Sequence, residues 1–332
     1  MKTHNLAIVG ATGAVGSEMI SILEERKFPI GELRLLASAK SAGQRKTFQG
    51  KDIIIQELTK DSFKGIDIAL FSAGGVVSQE YCPLAVKAGA VCVDNTSAFR
   101  MDPETPLVVP EVNLEALKDH KGIIANPNCS TIQMVLALKP IADALGLKRV
   151  VVSTYQAVAG AGAKGIQELE QQSVDIVAER EIESRIFSHQ IAYNAIPHID
   201  VFLENGFTKE EMKMILETKK ILNDQDLQVT ATTVRIPVMR SHSESVNIET
   251  KKFMPIEELK ALLANSPGVT VLDDPFHNQY PMPIDVVGTD DAYVGRIRRD
   301  ESVESGYHLW VVADNLRKGA ALNTVQIAEL LI

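Results

Sequence analysis

The sequence predicts an α/β chain, with an N-terminal Rossmann-type, doubly wound parallel sheet joined to an α+β domain with a mixed sheet. Three observations carry this prediction. Short apolar strands alternate with helical stretches through the first third of the chain, a glycine turn opens the first βα unit, and the later strands follow one another with few helices between them. The expected domains are residues 1–127, completed by a C-terminal helix over 314–332, and residues 128–313.

The first strand, Leu6-Ala7-Ile8-Val9, runs into Gly10-Ala11-Thr12-Gly13-Ala14-Val15-Gly16, and Met19, Ile20, Ile22 and Leu23 then recur at helical spacing. Strand, glycine turn and helix form the context of a dinucleotide fingerprint, in which the backbone approaches a pyrophosphate and the helix N-terminus points at it. A tight βα turn without a ligand is the simpler alternative. The second strand, Leu33–Ala37, ends in Ser38-Ala39-Lys40-Ser41-Ala42-Gly43 and carries no acid where an NAD site places one for the ribose 2′-hydroxyl. Hydroxyls and a cation suit a 2′-phosphate, which favours NADP, unless this is only a solvated loop with a lysine.

Ile66–Ser72 reads as a buried strand, followed by Ala73-Gly74-Gly75, a helix to about Lys87 and the strand Ala90–Asp94. Arg100 leaves the end of that strand, either as a surface charge or to hold an anion by its planar fork. Gly122–Ala125 is a further strand, and helical sequence resumes at Ile132. Between them lies Asn126-Pro127-Asn128-Cys129-Ser130-Thr131, so Cys129 falls within the first turn of a helix. The N–H groups and positive dipole end there stabilise a thiolate, although most free cysteines are simply small buried side chains.

Beyond Cys129 come the strand Arg149–Gln156, a small-residue stretch, a polar helix from about Ile166 to Glu183, and a helix over Lys209–Leu222. The last carries Glu217 and Lys220 on one face, where a surface ion pair is the plain reading. Strands are predicted over Gln228–Val238, Ser243–Thr250, Ala292–Arg298 and His308–Val312, and Leu316–Leu331 as an amphipathic helix packing on the first domain. Arg235 sits on an apolar strand, where an unpaired guanidinium is costly. His242, read alone, is better explained as a hydrogen-bonded structural histidine than as a catalyst. The odd spacing of residues 235 and 242 would point them to opposite faces of a straight strand, so a bend near Pro237 is expected.

Composition narrows the functional class. The 332 residues are 45% hydrophobic and 23% charged, with a net charge of −9 and no basic tract, which argues against nucleic acid. No apolar run approaches the ~20 residues of a membrane span, and Met1–Asn5 leads directly into a strand without a signal peptide's apolar core. The three cysteines form neither a disulfide framework nor a metal-site spacing, so no metal and a reducing cytoplasm are expected.

Several passages together resemble the aspartate-β-semialdehyde dehydrogenase family: Val9–Gly16, Ser38–Gly43, Phe71–Gly75, Asp94–Arg100, Pro110–Asn113, Asn126–Thr131, Tyr155–Gly162, Glu217–Lys220, Val234–Ser243 and Ala313–Ala321. The resemblance implies a catalytic and dimerisation role for the second domain, with Cys129 as nucleophile, His242 as acid/base and Gln156 orienting the substrate. It implies Arg235 for the substrate carboxylate, Glu217 for its ammonium, and Arg100, Lys220 and Asn128 for phosphate. Gly10, Thr12, Gly13, Ala14 and Val15 would hold the NADP pyrophosphate, and Ser38, Lys40 and Ser41 the 2′-phosphate. Ala159, Gly160 and Asn315 would hold the nicotinamide. Lys40 stands where many relatives carry arginine, which weakens the case for strict NADP selectivity. The family reduces aspartyl phosphate to aspartate semialdehyde, supplying lysine, threonine and methionine synthesis, as homodimers or homotetramers. N-acetyl-γ-glutamyl-phosphate reductase is the nearest alternative; a Cys–His hydrolase and a non-catalytic paralogue are the others.

Overall fold

The computed structural model describes residues 2–332 and divides into two compact units, one running up to Asn128 and joined by Ala320–Ile332, the other spanning Cys129–Gly319. In the first unit β1 (His4–Val9), α1 (Ala14–Glu25) and β2 (Ile30–Ala37) form the opening βαβ motif. A hairpin of β3 (Arg45–Phe48) and β4 (Lys51–Ile54), which the sequence did not announce, leads to the short β5 (Gln56–Glu57). Then come β6 (Ile68–Phe71), α2 (Gly75–Lys87), β7 (Val91–Asp94), the single turn α3 (Pro110–Asn113) and β8 (Ile123–Ala125).

The sheet has the order β5-β2-β1-β6-β7-β8, and every pairing is parallel. The order reverses at β1, where a doubly wound sheet opens its ligand crevice. Side chains alternate between two buried clusters, Leu6, Ile8, Leu35 and Leu70 in one and Ala7, Val9, Leu36 and Phe71 in the other. This is why these strands read as continuous apolar runs.

The second unit begins with α4 (Cys129–Leu145), β9 (Leu147–Gln156), α5 (Ala163–Val177) and α6 (Lys209–Ile221). It continues through β10 (Gln228–Arg235), β11 (His242–Thr250), α7 (Ile256–Ala264), β12 (Val269–Val271), β13 (Ala292–Asp300) and β14 (Gly306–Ala313). Its six-stranded sheet, β10-β9-β11-β14-β13-β12, is mixed: β9 pairs parallel with β10 and antiparallel with β11. Helices α4, α6 and α7 pack against it.

Three details differ from expectation. The polar helix α5 ends at Val177, short of Glu183. The C-terminal segment winds residues 317–321 as a π-helix before α8 (Leu322–Glu329), which packs against α1. The chain rejoins the first unit at Ala320, not at 314. Asp314 explains the delay, because its carboxylate accepts from Arg240 Nε at 2.8 Å and from the Gly288 N–H at 2.7 Å, both in the second unit. Among the described residues no helix is long and apolar enough to cross a membrane.

Candidate active site

Three adjacent strands of the second unit deliver their polar ends to one place. Gln156 closes β9 and lies in register with Arg235, the last residue of β10. His242 opens β11, whose next residue Ser243 pairs with Tyr155. Alternation places Gln156 with buried Val152 and Thr154, Arg235 with Ala231 and Thr233, and His242 with Glu244 and Val246. All three therefore face the side where α4 and α6 pack. The expected bend is a six-residue connection from Ile236 to Ser241, ending with Ser241 at φ 75°. Arg235 and His242 share a face because they belong to different strands flanking β9.

The first turn of α4 is fastened to these ends. Gln156 Nε2 donates to Ser130 Oγ at 2.7 Å, and one turn on Gln133 Nε2 donates to the His242 carbonyl at 3.3 Å. Cys129 opens the helix and is part-exposed, unlike the buried Cys82 and Cys92. A Cβ on Gly319 would lie 3.0 Å from Cys129 Cβ, so the absence of a side chain there lets the π-helical segment close against the thiol's backbone.

His242 is fully buried, and the Ala157 N–H donates to its Nδ1 at 3.0 Å. The neutral ring therefore carries its proton on Nε2, which finds no acceptor among the described residues and points towards Gly160. Burial and the Arg235 guanidinium lower its pKa from 6.5 to about 3, against the opposing pull of Glu210 and the Ser241 backbone. The unfolded chain thus protonates this imidazole before the folded one does. Its contribution to stability is complete above pH 6.5 and is lost as pH falls towards 3. Below pH 6.5 the wild type should lose about 1.4 kcal/mol per pH unit more than a His242→Gln variant in denaturant titrations. Parallel stability curves would show that this ring is not held neutral.

Arg235 is buried and donates from Nη1 to the Ala157 carbonyl at 2.7 Å, with the Phe187 ring 5.9 Å from its guanidinium carbon. Its Nε has no hydrogen-bond partner among the described residues. A donor so placed, beside a carboxylate and a thiol, is equipped for an incoming anion. Burial lowers its pKa, while Glu210 and Cys129 favour the charge.

The acid that meets this group is Glu210, not Glu217. Glu210 Oε1 accepts from Gln156 Nε2 at 3.3 Å, and Oε2 accepts from Lys213 at 3.0 Å. Burial disfavours the Lys213 ammonium, but Glu210 and Asp200 outweigh it and raise its pKa. Glu217 is fully buried two turns further along α6, about 10 Å away by helical rise. Lys220 lies near the same far end.

In the first unit, Gly10 has φ 92°, and a Cβ there would come within 2.5 Å of the Ser72 carbonyl oxygen; one on Gly16 would come within 2.2 Å of the Gly10 carbonyl oxygen. Both are close backbone approaches only glycine allows. Helix α1 starts at Ala14 with Gly13 as N-cap and no side chain capping it, so its first N–H groups suit a phosphate. Ser38, Lys40 and Ser41 form a short 3₁₀ turn at the end of β2, with Ser38 and Lys40 exposed. Arg100 is nine-tenths buried and donates to the backbone carbonyls of Asn126, at 2.9 Å, and Asn95, at 3.0 Å. Asn128 is buried at the end of this unit.

Family models described as semialdehyde dehydrogenase NAD binding domain and semialdehyde dehydrogenase dimerisation domain match residues 5–120 and 138–318. The aspartate-semialdehyde dehydrogenase of Aquifex aeolicus is 59% identical over 99% of this chain and 98% of its own. The chain belongs to the aspartate-semialdehyde dehydrogenase family. The solved structure of aspartate semialdehyde dehydrogenase II from Vibrio cholerae, complexed with ASA, superposes with a TM-score of 0.97 at 49% identity, covering 100% of this chain and 98% of that one. The Candida albicans enzyme, solved with NADP, superposes at 0.77 with 26% identity, covering 99% and 98%.

Ala159, Gly160 and Asn315 lie around the connection that follows Arg235. Asn315 Oδ1 accepts from the Ser241 N–H at 2.9 Å, and the Ala159 N–H donates to the Met239 carbonyl at 3.1 Å. A Cβ on Gly160 would stand 2.7 Å from Arg235 Nη1 and 3.3 Å from His242 Nε2. Gly160→Ala should therefore displace the guanidinium and raise KM for the carboxylate substrate about tenfold or more, and should also weaken NADPH, whose nicotinamide the family resemblance places at this glycine. Steady-state kinetics with fluorescence titration of NADPH would check this.

Proposed function

We propose that this chain interconverts L-4-aspartyl phosphate and L-aspartate 4-semialdehyde with NADP, through a thioester on Cys129. The observation that supports this most strongly is the meeting of Gln156, Arg235, His242 and Glu210 beside the first turn of the Cys129 helix. In the reductive direction, the Cys129 thiolate attacks the acyl carbon, the carbon–oxygen bond to phosphate breaks, and phosphate leaves. Bound NADPH supplies the hydride that reduces the thioester carbonyl. The carbon–sulfur bond then breaks, releasing the aldehyde and restoring the thiolate.

His242 presents an Nε2 proton, suited to the substrate oxygen that becomes negative at each tetrahedral stage. Arg235 takes the substrate carboxylate by its fork, and Glu210, in place of Glu217, takes the ammonium. Arg100 and Asn128 hold phosphate, and Lys213 fits the lysine role better than Lys220 because it pairs with Glu210. Gly10, Thr12, Gly13, Ala14 and Val15 hold the cofactor pyrophosphate, Ser38, Lys40 and Ser41 its 2′-phosphate, and Ala159, Gly160 and Asn315 its nicotinamide.

The matched dimerisation model supports a homodimer or homotetramer. A second copy would cover the sheet face opposite α4 and α6, where Tyr155 and Trp310 pack 5.5 Å apart, both only half-buried. A part-exposed thiol outside any disulfide suits a reducing cytoplasm. The deciding experiment is reduction of NADP by aspartate semialdehyde with and without phosphate, repeated with NAD. A rate independent of phosphate, or preference for N-acetyl-γ-glutamyl phosphate in the reverse direction, would overturn this reading.

A further inference from the structure

Directly behind Cys129 and His242 lies a second pair, Gln133 and Glu244. Gln133 follows Cys129 by one turn of α4, and Glu244 follows His242 by one repeat of β11, so each lies on the same face as the residue above it. Both are fully buried. A helical turn advances about 5.4 Å and two strand residues about 6.7 Å, so the step from Cys129 to Gln133 and that from His242 to Glu244 are of similar length.

The Gln133 amide touches both sides of the gap between α4 and β11. Its Nε2 donates to the His242 carbonyl at 3.3 Å, and its side chain lies beside the Glu244 carboxyl. Among the described residues nothing donates to either Glu244 oxygen in good geometry, and neither Gln133 Oε1 nor Thr154 Oγ1 has a hydrogen-bond partner. Thr154 stands directly across from Glu244 in the β9–β11 register. Among the described residues no cation pairs with Glu244, and an ionised carboxylate buried without one would cost several kcal/mol.

A neutral carboxyl resolves the set. It offers one O–H donor to Gln133 Oε1 or Thr154 Oγ1, and an acceptor to the second Gln133 Nε2 hydrogen. Burial likewise raises the pKa of Glu244 well above the ordinary carboxylate value.

We propose that Gln133 and a protonated Glu244 act as a spacer that sets the separation of Cys129 and His242, as positioning residues that do not touch substrate. The proposal rests on reading Cys129 and His242 as nucleophile and acid/base. It gives the Cys129 helix and the His242 strand one shared strut below the chemistry.

The test uses the full chain and three variants, Glu244→Gln, Glu244→Leu and Gln133→Leu. Glu244→Gln keeps the shape and neutrality of the protonated acid and should stay within about 3-fold of wild type in kcat. Gln133→Leu and Glu244→Leu should lower kcat about 30-fold, with KM for aspartate semialdehyde within about 3-fold, because the reacting groups are misplaced and the substrate contacts are not. Both should also shift the pH profile of Cys129 alkylation by iodoacetamide, while Glu244→Gln should not. Infrared difference spectra of wild type against Glu244→Gln should show loss of one protonated carboxyl band at neutral pH. Absence of that band, a tenfold loss in Glu244→Gln, or an unchanged kcat and alkylation profile in Gln133→Leu would each overturn the proposal. If Gln133→Leu does not fold, Gln133→Met keeps the volume and is read by the same criteria. Full activity in Cys129→Ala would remove the parent reading instead, and would leave the infrared result on Glu244 standing.

Discussion

Cys129→Ser should lower turnover by about four orders of magnitude or more, since the alkoxide needed in place of the thiolate is scarcely formed at neutral pH. The start of α4 favours a thiolate through its dipole, and Arg235 adds a positive charge within electrostatic reach of the sulfur. Neither effect brings a serine hydroxyl into a useful range. NADPH binding should persist, because the glycine turn at Gly10 belongs to the other compact unit. Stopped-flow mixing of enzyme, NADPH and aspartyl phosphate would separate the two quantities. Substantial turnover by the serine variant would mean that the acyl group is never carried on residue 129.

Arg235→Lys should reduce kcat/KM for aspartate semialdehyde about 100-fold, mostly through KM. The guanidinium already gives Nη1 to the Ala157 carbonyl and keeps Nε and the other terminal nitrogen for the substrate. A lysine ammonium cannot hold that carbonyl and also form a planar two-bond clamp on a carboxylate. The buried position sharpens the effect, because a shorter cation there would leave the Ala157 carbonyl or the substrate without its partner. Unaltered KM would remove Arg235 from the substrate site.

The two kinds of sheet were legible from periodicity alone. Parallel strands buried on both faces read as unbroken apolar runs, as in Ile68–Phe71. Strands covered on one face alternate, as in β9 and β11. The hairpin of β3 and β4 stayed hidden because its short, largely exposed strands carry little apolar signal. Cys129 was legible at a helix start and Arg235 as a costly cation on an apolar strand, whereas Gln156 and His242 drew their roles from the family resemblance, and the convergence of the four needed the register.

The α6 acid shows the limit most clearly. The Glu–Lys spacing of i,i+3 occurs twice on that helix, as Glu210–Lys213 and Glu217–Lys220, and periodicity treats the two alike. Topology distinguishes them. A helix between two parallel strands runs back against them, so its first turn meets the C-terminal end of the next strand. The Thr233 N–H donating to Glu211 Oε1 at 3.0 Å marks that meeting, two residues before Arg235. Gln133 and Glu244 could not have been found this way, because a buried glutamine and glutamate reveal their purpose only through the groups they fail to pair with.

The division of the chain at Asn128 and Ala320 also bears on how the polypeptide is assembled during synthesis. The core of the nucleotide-binding half includes Leu322, Val325, Ile327 and Ala328, which leave the ribosome after all of Cys129–Gly319. The half that is translated first is therefore the half that closes last. Until those residues emerge, the growing chain must carry α1 and β7 with part of their apolar surface uncovered, which is when a nascent protein has most need of a chaperone.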